Sequence, residues 1–136
     1  MTNSEILTAY VEAINHHSVD TMVKWLAKDH VFTDSLGQAI WGSSGMKPAW
    51  SKYFEMVPDY EIIIDEIFEK AGKMVLLGTA KGTYAPDGKL RPNNRWQTRA
   101  AWKVVFKNER ISEWQIFADN EPIRQIIREH ESAGAA

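Results

Sequence analysis

The segment 95–107, RWQTRAAWKVVFK, alternates between two kinds of side chain along its whole length. Its even-numbered positions are mostly large and apolar: Trp96, Thr98, Ala100, Trp102, Val104 and Phe106. Its odd-numbered positions include the basic residues Arg95, Arg99 and Lys103. A period of two is typical of a β-strand with one buried face and one solvated face. The rest of the chain must therefore supply a layer that covers an aromatic sheet face.

Helical patterns in the first part of the chain can supply that layer. Thr2 and Glu5 have the spacing of a capping box, and apolar residues at helical spacing follow them. The predicted helices are about 3–16, one from Ser18 or Asp20 to about Lys28, and one from Ser43 or Ser44 to Pro58. Between the last two, HVFTD and QAIW indicate two short extended pieces around Gly37.

After Asp59 the pattern changes to that of strands. Four long strands are predicted at 60–69, 73–84, 95–107 and 110–118, with short links that favour antiparallel hairpins. Gly78 and Gly82 lie on one side of the second of these strands, where they permit strong bending. A last helix is predicted from Glu121, and a disordered tail over 132–136. The sequence thus predicts one α+β domain over 1–131.

Composition excludes several function classes. The formal net charge is −2, so no global field attracts nucleic acid or an anionic membrane. The chain has no cysteine, which excludes disulfides, thiolate metal sites and cysteine catalysis. No signal peptide or membrane span is evident, and a cytoplasmic protein is expected. His16 and His17 have no carboxylate at ligand spacing, and no glycine-rich phosphate loop is present, so neither a metal nor a cofactor is predicted.

The basic side chains of segment 95–107 have two interpretations. They could form an anion-binding or nucleic-acid surface, or a solvated sheet face with cross-strand ion pairs to Glu61, Asp65 and Glu69. We favour ion pairs, because no stacking aromatic residues accompany the basic side chains.

The stretch HVFTDSLG contains the most informative acidic residue. Strand alternation places His30, Phe32 and Asp34 on one side. Asp34 is therefore either a turn residue that hydrogen-bonds near Ser35 or Gly37, or a carboxylate directed into an apolar interior. An apolar neighbourhood would strengthen a carboxylate as a base.

The order of the elements resembles the nuclear transport factor 2-like fold, which includes ketosteroid isomerase and SnoaL-like polyketide cyclases. Tyr10 in AYVEAIN and Asp34 in FTDSLGQ resemble the oxyanion-hole tyrosine and the general-base aspartate of ketosteroid isomerase. The resemblance implies a cone-shaped, strongly bent antiparallel sheet wrapped around N-terminal helices, with an apolar pocket. Trp102 stands where the isomerases need a second acid, and Trp50 where some have a supporting tyrosine. True steroid isomerisation is therefore not expected.

The resemblance implies a cofactor-independent isomerase, lyase or polyketide-cyclase-like enzyme that acts on an apolar or aromatic carbonyl compound. Asp34 and Tyr10 are the predicted catalytic residues. The predicted substrate-binding residues are His30, Phe32, Trp50, Trp102, Trp114 and Ile116. The alternatives are a non-catalytic module that binds a hydrophobic ligand or serves in dimeric interactions, and an accessory subunit. The resemblance also implies a homodimer, with the face of Arg95, Arg99 and Lys103 as candidate interface.

Overall fold

Residues 1–135, which the computed structural model describes, form four α-helices and six strands in the predicted order. The helices are α1 (Asn3–Asn15), α2 (Val19–Lys24), α3 (Met46–Met56) and α4 (Glu121–Ala135). The strands are β1 (Leu26–Thr33), β2 (Ala39–Trp41), β3 (Glu61–Lys70), β4 (Lys73–Thr83), β5 (Arg95–Lys107) and β6 (Arg110–Ala118). The predicted capping box at Thr2 and Glu5 is present at the start of α1.

All six strands form one sheet in the order β2-β1-β6-β5-β4-β3. Neighbouring strands are antiparallel except β1 and β6, which are parallel. The sheet is curved and unclosed, and helices α1 to α3 pack against its concave face. The predicted α+β class, with a bent sheet wrapped around N-terminal helices, is confirmed.

The two faces of β5 differ as its sequence predicts. Trp102 is buried and lies in register with Leu76 on β4 and Ile116 on β6. On the convex face, Arg99 pairs with Asp65 at 2.7 Å, and Lys103 pairs with Glu113 at 3.2 Å. The basic row therefore contains cross-strand ion pairs on a solvated face.

Gly78 on β4 lies unusually close to the backbone of β3. This residue lies opposite Ile64, next to a register shift between Ile64 and Glu66 on β3. A Cβ atom at position 78 would lie 1.9 Å from the carbonyl oxygen of Ile63. Only glycine allows β3 to approach β4 this closely.

The end of the second helix and the C-terminal segment 132–136 can be compared with the sequence prediction. The second helix ends at Lys24 rather than Lys28, because Leu26 pairs with Ile111 and the Ile111 N–H donates to the Trp25 carbonyl oxygen. Strand pairing here overrides local helical preference. Helix α4 continues into the segment 132–136, and Ala136 lies outside the described residues. The disorder of that tail and the single domain over 1–131 stay predictions.

Candidate functional site

A cavity of about 320 Å³ lies between α3, the end of β1 and the concave faces of β5 and β6. Its size is within the range of small-molecule sites, about 300–1000 Å³. The aromatic part of its wall consists of Phe32, Trp50, Tyr53, Tyr60, Trp102 and Trp114. The aliphatic part consists of Ile40, Met46, Ala49 and Ile116. Six of the eight predicted site residues therefore line one cavity, and Tyr10 and His30 do not.

The aromatic rings meet at steep angles around Trp50. The Trp50 ring centre lies 6.0 Å from that of Phe32 and 6.2 Å from that of Tyr53, at 75° and 88°. The rings of Tyr53 and Tyr60 are 5.0 Å apart and perpendicular, at 89°. Edge-to-face contacts of this kind are favourable, so the rings form a preorganised wall.

Asp34 both holds a turn and lines the cavity. Its Oδ1 accepts hydrogen bonds from the backbone N–H groups of Leu36 and Gln38, each at 2.9 Å. These bonds fix the loop between β1 and β2, as the turn interpretation expects. The half-buried side chain also forms part of the cavity wall. Among residues 1–135, Asp34 is the one charged residue in that wall.

Two neutral polar residues lie beside Asp34. The Asn120 amide Nδ2 donates to the Ser35 hydroxyl and so joins the β1–β2 loop to the start of α4. Both side chains line the cavity. The Asp119 carboxylate accepts a hydrogen bond from the Glu121 N–H at 2.9 Å, just before α4 begins. The cavity therefore has a polar part and an aromatic part.

Tyr10 lies behind the cavity wall rather than in it. Its ring is fully buried and packs edge-on against Trp114, with centroids 5.0 Å apart. Burial raises the pKa of Tyr10, while the nearby Trp50 N–H lowers it slightly. Within residues 1–135, neither Tyr10 Oη nor Trp50 Nε1 has a partner that meets hydrogen-bond geometry. Tyr10 is thus a protonated, unpartnered donor adjacent to the wall.

His30 is fully buried and also lies outside the wall. Its Nδ1 lies 2.9 Å from the Ile111 carbonyl oxygen, which can only accept, so Nδ1 carries the proton. Burial lowers the pKa of His30. Its Nε2 has no hydrogen-bond partner in the described part of the chain. The arrangement is that of a neutral imidazole oriented by the strand next to it.

A match to a family model identifies the family. The model of the SnoaL-like domain matches residues 7–114, which extend from within α1 to the middle of β6. The chain belongs to the SnoaL-like domain family. No curated protein sequence shows significant similarity to this member of the family.

Solved structures share the fold of this SnoaL-like chain. A protein from Shewanella denitrificans, assigned as a SnoaL-like polyketide cyclase, has a TM-score of 0.78 at 16% identity, with 93% of this chain and 96% of that chain covered. An NTF2-like protein from Burkholderia thailandensis has a TM-score of 0.77 at 17% identity, covering 93% and 98%. A ketosteroid isomerase-like protein from Catenulispora acidiphila, solved in complex with trimethylamine, has a TM-score of 0.73 at 16% identity, covering 85% and 86%.

Sequence reasoning missed several wall residues of this SnoaL-like domain. Tyr53 has the helical spacing of an ordinary core residue, and Tyr60 precedes a strand, so neither position carried a distinct signal. Ser35 follows Asp34 in a stretch that could be a simple turn, and Asn120 directly precedes the predicted last helix. Among residues 1–135, no group of three or more His, Asp or Glu side chains is arranged to hold a metal ion. None of the helices there has the length and apolar content that a membrane crossing requires.

Proposed function

We propose that this chain is a small-molecule pocket protein that acts as a cofactor-independent isomerase, lyase or polyketide-cyclase-like enzyme. Asp34 is the base that removes a proton from an apolar or aromatic carbonyl substrate. One observation carries the proposal: within residues 1–135, a single carboxylate lies in the wall of an otherwise neutral, largely aromatic cavity of ligand size. A carboxylate beside apolar surface is well suited to remove a proton next to a carbonyl group.

Proton removal next to a carbonyl group places negative charge on the carbonyl oxygen, which requires a donor. Tyr10 is the proposed donor, because its buried hydroxyl has no other partner within the described residues. Tyr53 and Tyr60 line the cavity itself. Burial raises the pKa of both phenols, so they also stay protonated at neutral pH. A ligand oxygen therefore has neutral donors at the aromatic part of the cavity.

A second candidate function is ligand binding without turnover. Two observations favour it: Trp114 separates Tyr10 from the cavity, and Asp34 Oδ1 is already held by two backbone N–H groups. The Catenulispora neighbour was solved with trimethylamine, which fits a pocket of this fold that holds a small organic molecule.

An exchange experiment separates the two candidates without knowledge of the natural substrate. The ketone 2-tetralone in D₂O reports proton removal through deuterium uptake next to its carbonyl group, measured by NMR. Binding is followed in parallel by quenching of tryptophan fluorescence. We expect catalysed exchange by the wild type and at least a ~1000-fold loss in Asp34→Asn, of the size seen when a catalytic acid–base residue is removed.

Asp29→Asn is the matched control, because Asp29 is an exposed acid on β1, the strand that precedes Asp34, and does not line the cavity. This variant should exchange the ketone at the wild-type rate. Quenching without exchange in the wild type, or full exchange in Asp34→Asn, would reject the base role and leave the binding function. The absence of both quenching and exchange would reject the pocket as a site for such compounds.

A further inference from the structure

The faces of aromatic rings are electronegative, and this cavity has such rings on several sides. Phe32 and Tyr53 stand at 75° and 88° to Trp50, and Tyr60 stands at 89° to Tyr53. All four of these rings line the cavity. An organic cation that packs over the face of any of these rings would be attracted to it.

The formal charge of the cavity wall is negative. Among residues 1–135, no Lys, Arg or His side chain lines the cavity, and Asp34 takes part in none of the ion pairs. Within the same residues, the hydrogen bonds to the Asp34 carboxylate involve Oδ1 alone. The second carboxylate oxygen, Oδ2, has no protein partner in the described part of the chain.

This charge imbalance discriminates between kinds of ligand. A neutral apolar ligand that filled the cavity would remove water from Asp34 Oδ2 and give nothing in return, and stripping a charge of its solvation is costly. An ammonium group would replace that water with an opposite charge. Its carbon substituents would then lie against the aromatic rings, where a cation is attracted rather than repelled.

We infer that the ligand of this pocket carries an organic ammonium group, either a protonated tertiary amine or a quaternary ammonium. Its positive charge lies against Asp34, and its alkyl carbons lie against Phe32, Trp50 and Tyr53. The inference rests on the proposed small-molecule function and names the ligand class. It holds whether or not Asp34 also removes a proton, because the attraction requires only the negative charge of the carboxylate.

The test compares two soluble probes of the same shape that differ only in charge: choline and 3,3-dimethylbutan-1-ol. Both are titrated against the full chain while the six tryptophan indole N–H signals are followed by NMR. We expect choline to bind at least tenfold more tightly than the alcohol and to shift the signals of Trp50, Trp102 and Trp114. In Asp34→Asn, choline affinity should fall about tenfold, while alcohol affinity stays within twofold. In Asp29→Asn, which removes the same charge outside the wall, both affinities should stay unchanged.

The outcomes distinguish this inference from the proposed function. Equal or tighter binding of the alcohol would overturn the ammonium assignment and leave a pocket for neutral compounds. A choline preference that persists in Asp34→Asn would overturn it as well, because the attraction would then arise elsewhere. Catalysed exchange of 2-tetralone together with no binding of either probe would retain the enzyme proposal and reject the cationic ligand. Failure of both probes and of the ketone would reject the two together.

Discussion

Tyr10 packs edge-on against Trp114, with ring centres 5.0 Å apart at 63°, and Trp114 rather than Tyr10 forms the cavity wall. The hydroxyl group of Tyr10 is therefore buried one layer behind the ligand site. Its oxygen has no hydrogen-bond partner among residues 1–135. A buried polar group in this state reduces the stability of the fold unless a ligand or a buried water satisfies it.

Replacement of Tyr10 by phenylalanine should reveal that cost. We expect Tyr10→Phe to raise the free energy of unfolding by about 1 kcal/mol, because the variant removes an unsatisfied hydroxyl and keeps the ring. Urea denaturation of the ligand-free protein measures it. If Tyr10 is also the donor to a substrate oxygen, catalysed exchange should fall about 100- to 1000-fold in the same variant. A loss of stability would show instead that Oη has a partner in the ligand-free protein.

The sequence predicted the fold because its strongest signals are the spacings of apolar residues that are typical of strands and helices. The alternation of 95–107 requires a covered aromatic face, and the capping box at Thr2 fixes the start of α1. The predicted bounds of β3 to β6 lie within one residue of those observed. The predicted end of the second helix was wrong, because Leu26 pairs with Ile111 on β6, a strand far away in the sequence.

The sequence pattern predicted the residues of the candidate site less completely than it predicted the fold. Alternation placed Phe32 and Asp34 on one side, and both line the cavity. The same alternation could not show that Trp114 separates Tyr10 from that cavity, because this depends on packing between elements far apart in the chain. Tyr53 and Tyr60 were missed for a related reason. A tyrosine that faces a cavity and one that fills a core have the same sequence pattern.

His30 makes the stability of the fold depend on pH. Burial lowers the pKa of His30 below its ordinary value of 6.5. The unfolded chain therefore binds a proton at this residue more readily than the folded chain. The stabilisation is fully present above about pH 6.5 and is lost as the pH falls below it toward the folded pKa, by up to about 1.4 kcal/mol per pH unit.

Urea denaturation from about pH 8 to about pH 5 measures this dependence. Because the carboxylates also titrate near the lower limit, the decisive quantity is the difference between the wild type and His30→Gln, whose amide can still donate to Ile111. We expect the wild type to lose more free energy of unfolding than His30→Gln below about pH 6.5. His16→Gln, at the end of α1, is the control and should follow the wild-type curve. Parallel curves for the wild type and His30→Gln would contradict the prediction.

The convex face of the sheet is the proposed homodimer interface. Several apolar side chains there are exposed in the single chain: Ile63 by 42%, Phe68 by 56%, Val75 by 43% and Phe117 by 52%. We expect Phe117→Asp to shift a homodimer toward the 15.5 kDa monomer, because it places a charge in an apolar contact. Size-exclusion chromatography coupled to light scattering measures the molar mass of the protein in solution. Leu90→Asp, an equally exposed residue off this face, should stay dimeric. A monomeric wild type would reject the interface.

Gly78 should be the residue least tolerant of an added methyl group. The Cβ of an alanine there would lie 1.9 Å from the Ile63 carbonyl oxygen and 2.9 Å from its carbon, both backbone atoms that cannot rotate away. The strands β3 and β4 would have to separate at this point. We therefore expect Gly78→Ala to lower the free energy of unfolding by about 3 kcal/mol, at the upper end of overpacking effects.

The same substitution at Gly88 provides the control for Gly78→Ala. Gly88 has φ +80°, and among residues 1–135 no atom outside Gly88 and its two chain neighbours lies within 4 Å of the point where its Cβ would stand, so alanine there meets backbone strain but no neighbouring side chain or strand. That change should cost only about 1 kcal/mol. Both values come from urea denaturation, with circular dichroism to show that the sheet is retained. Equal costs at the two positions would mean that β3 can move away from β4. The close approach at Gly78 would then not constrain the pairing of the two strands.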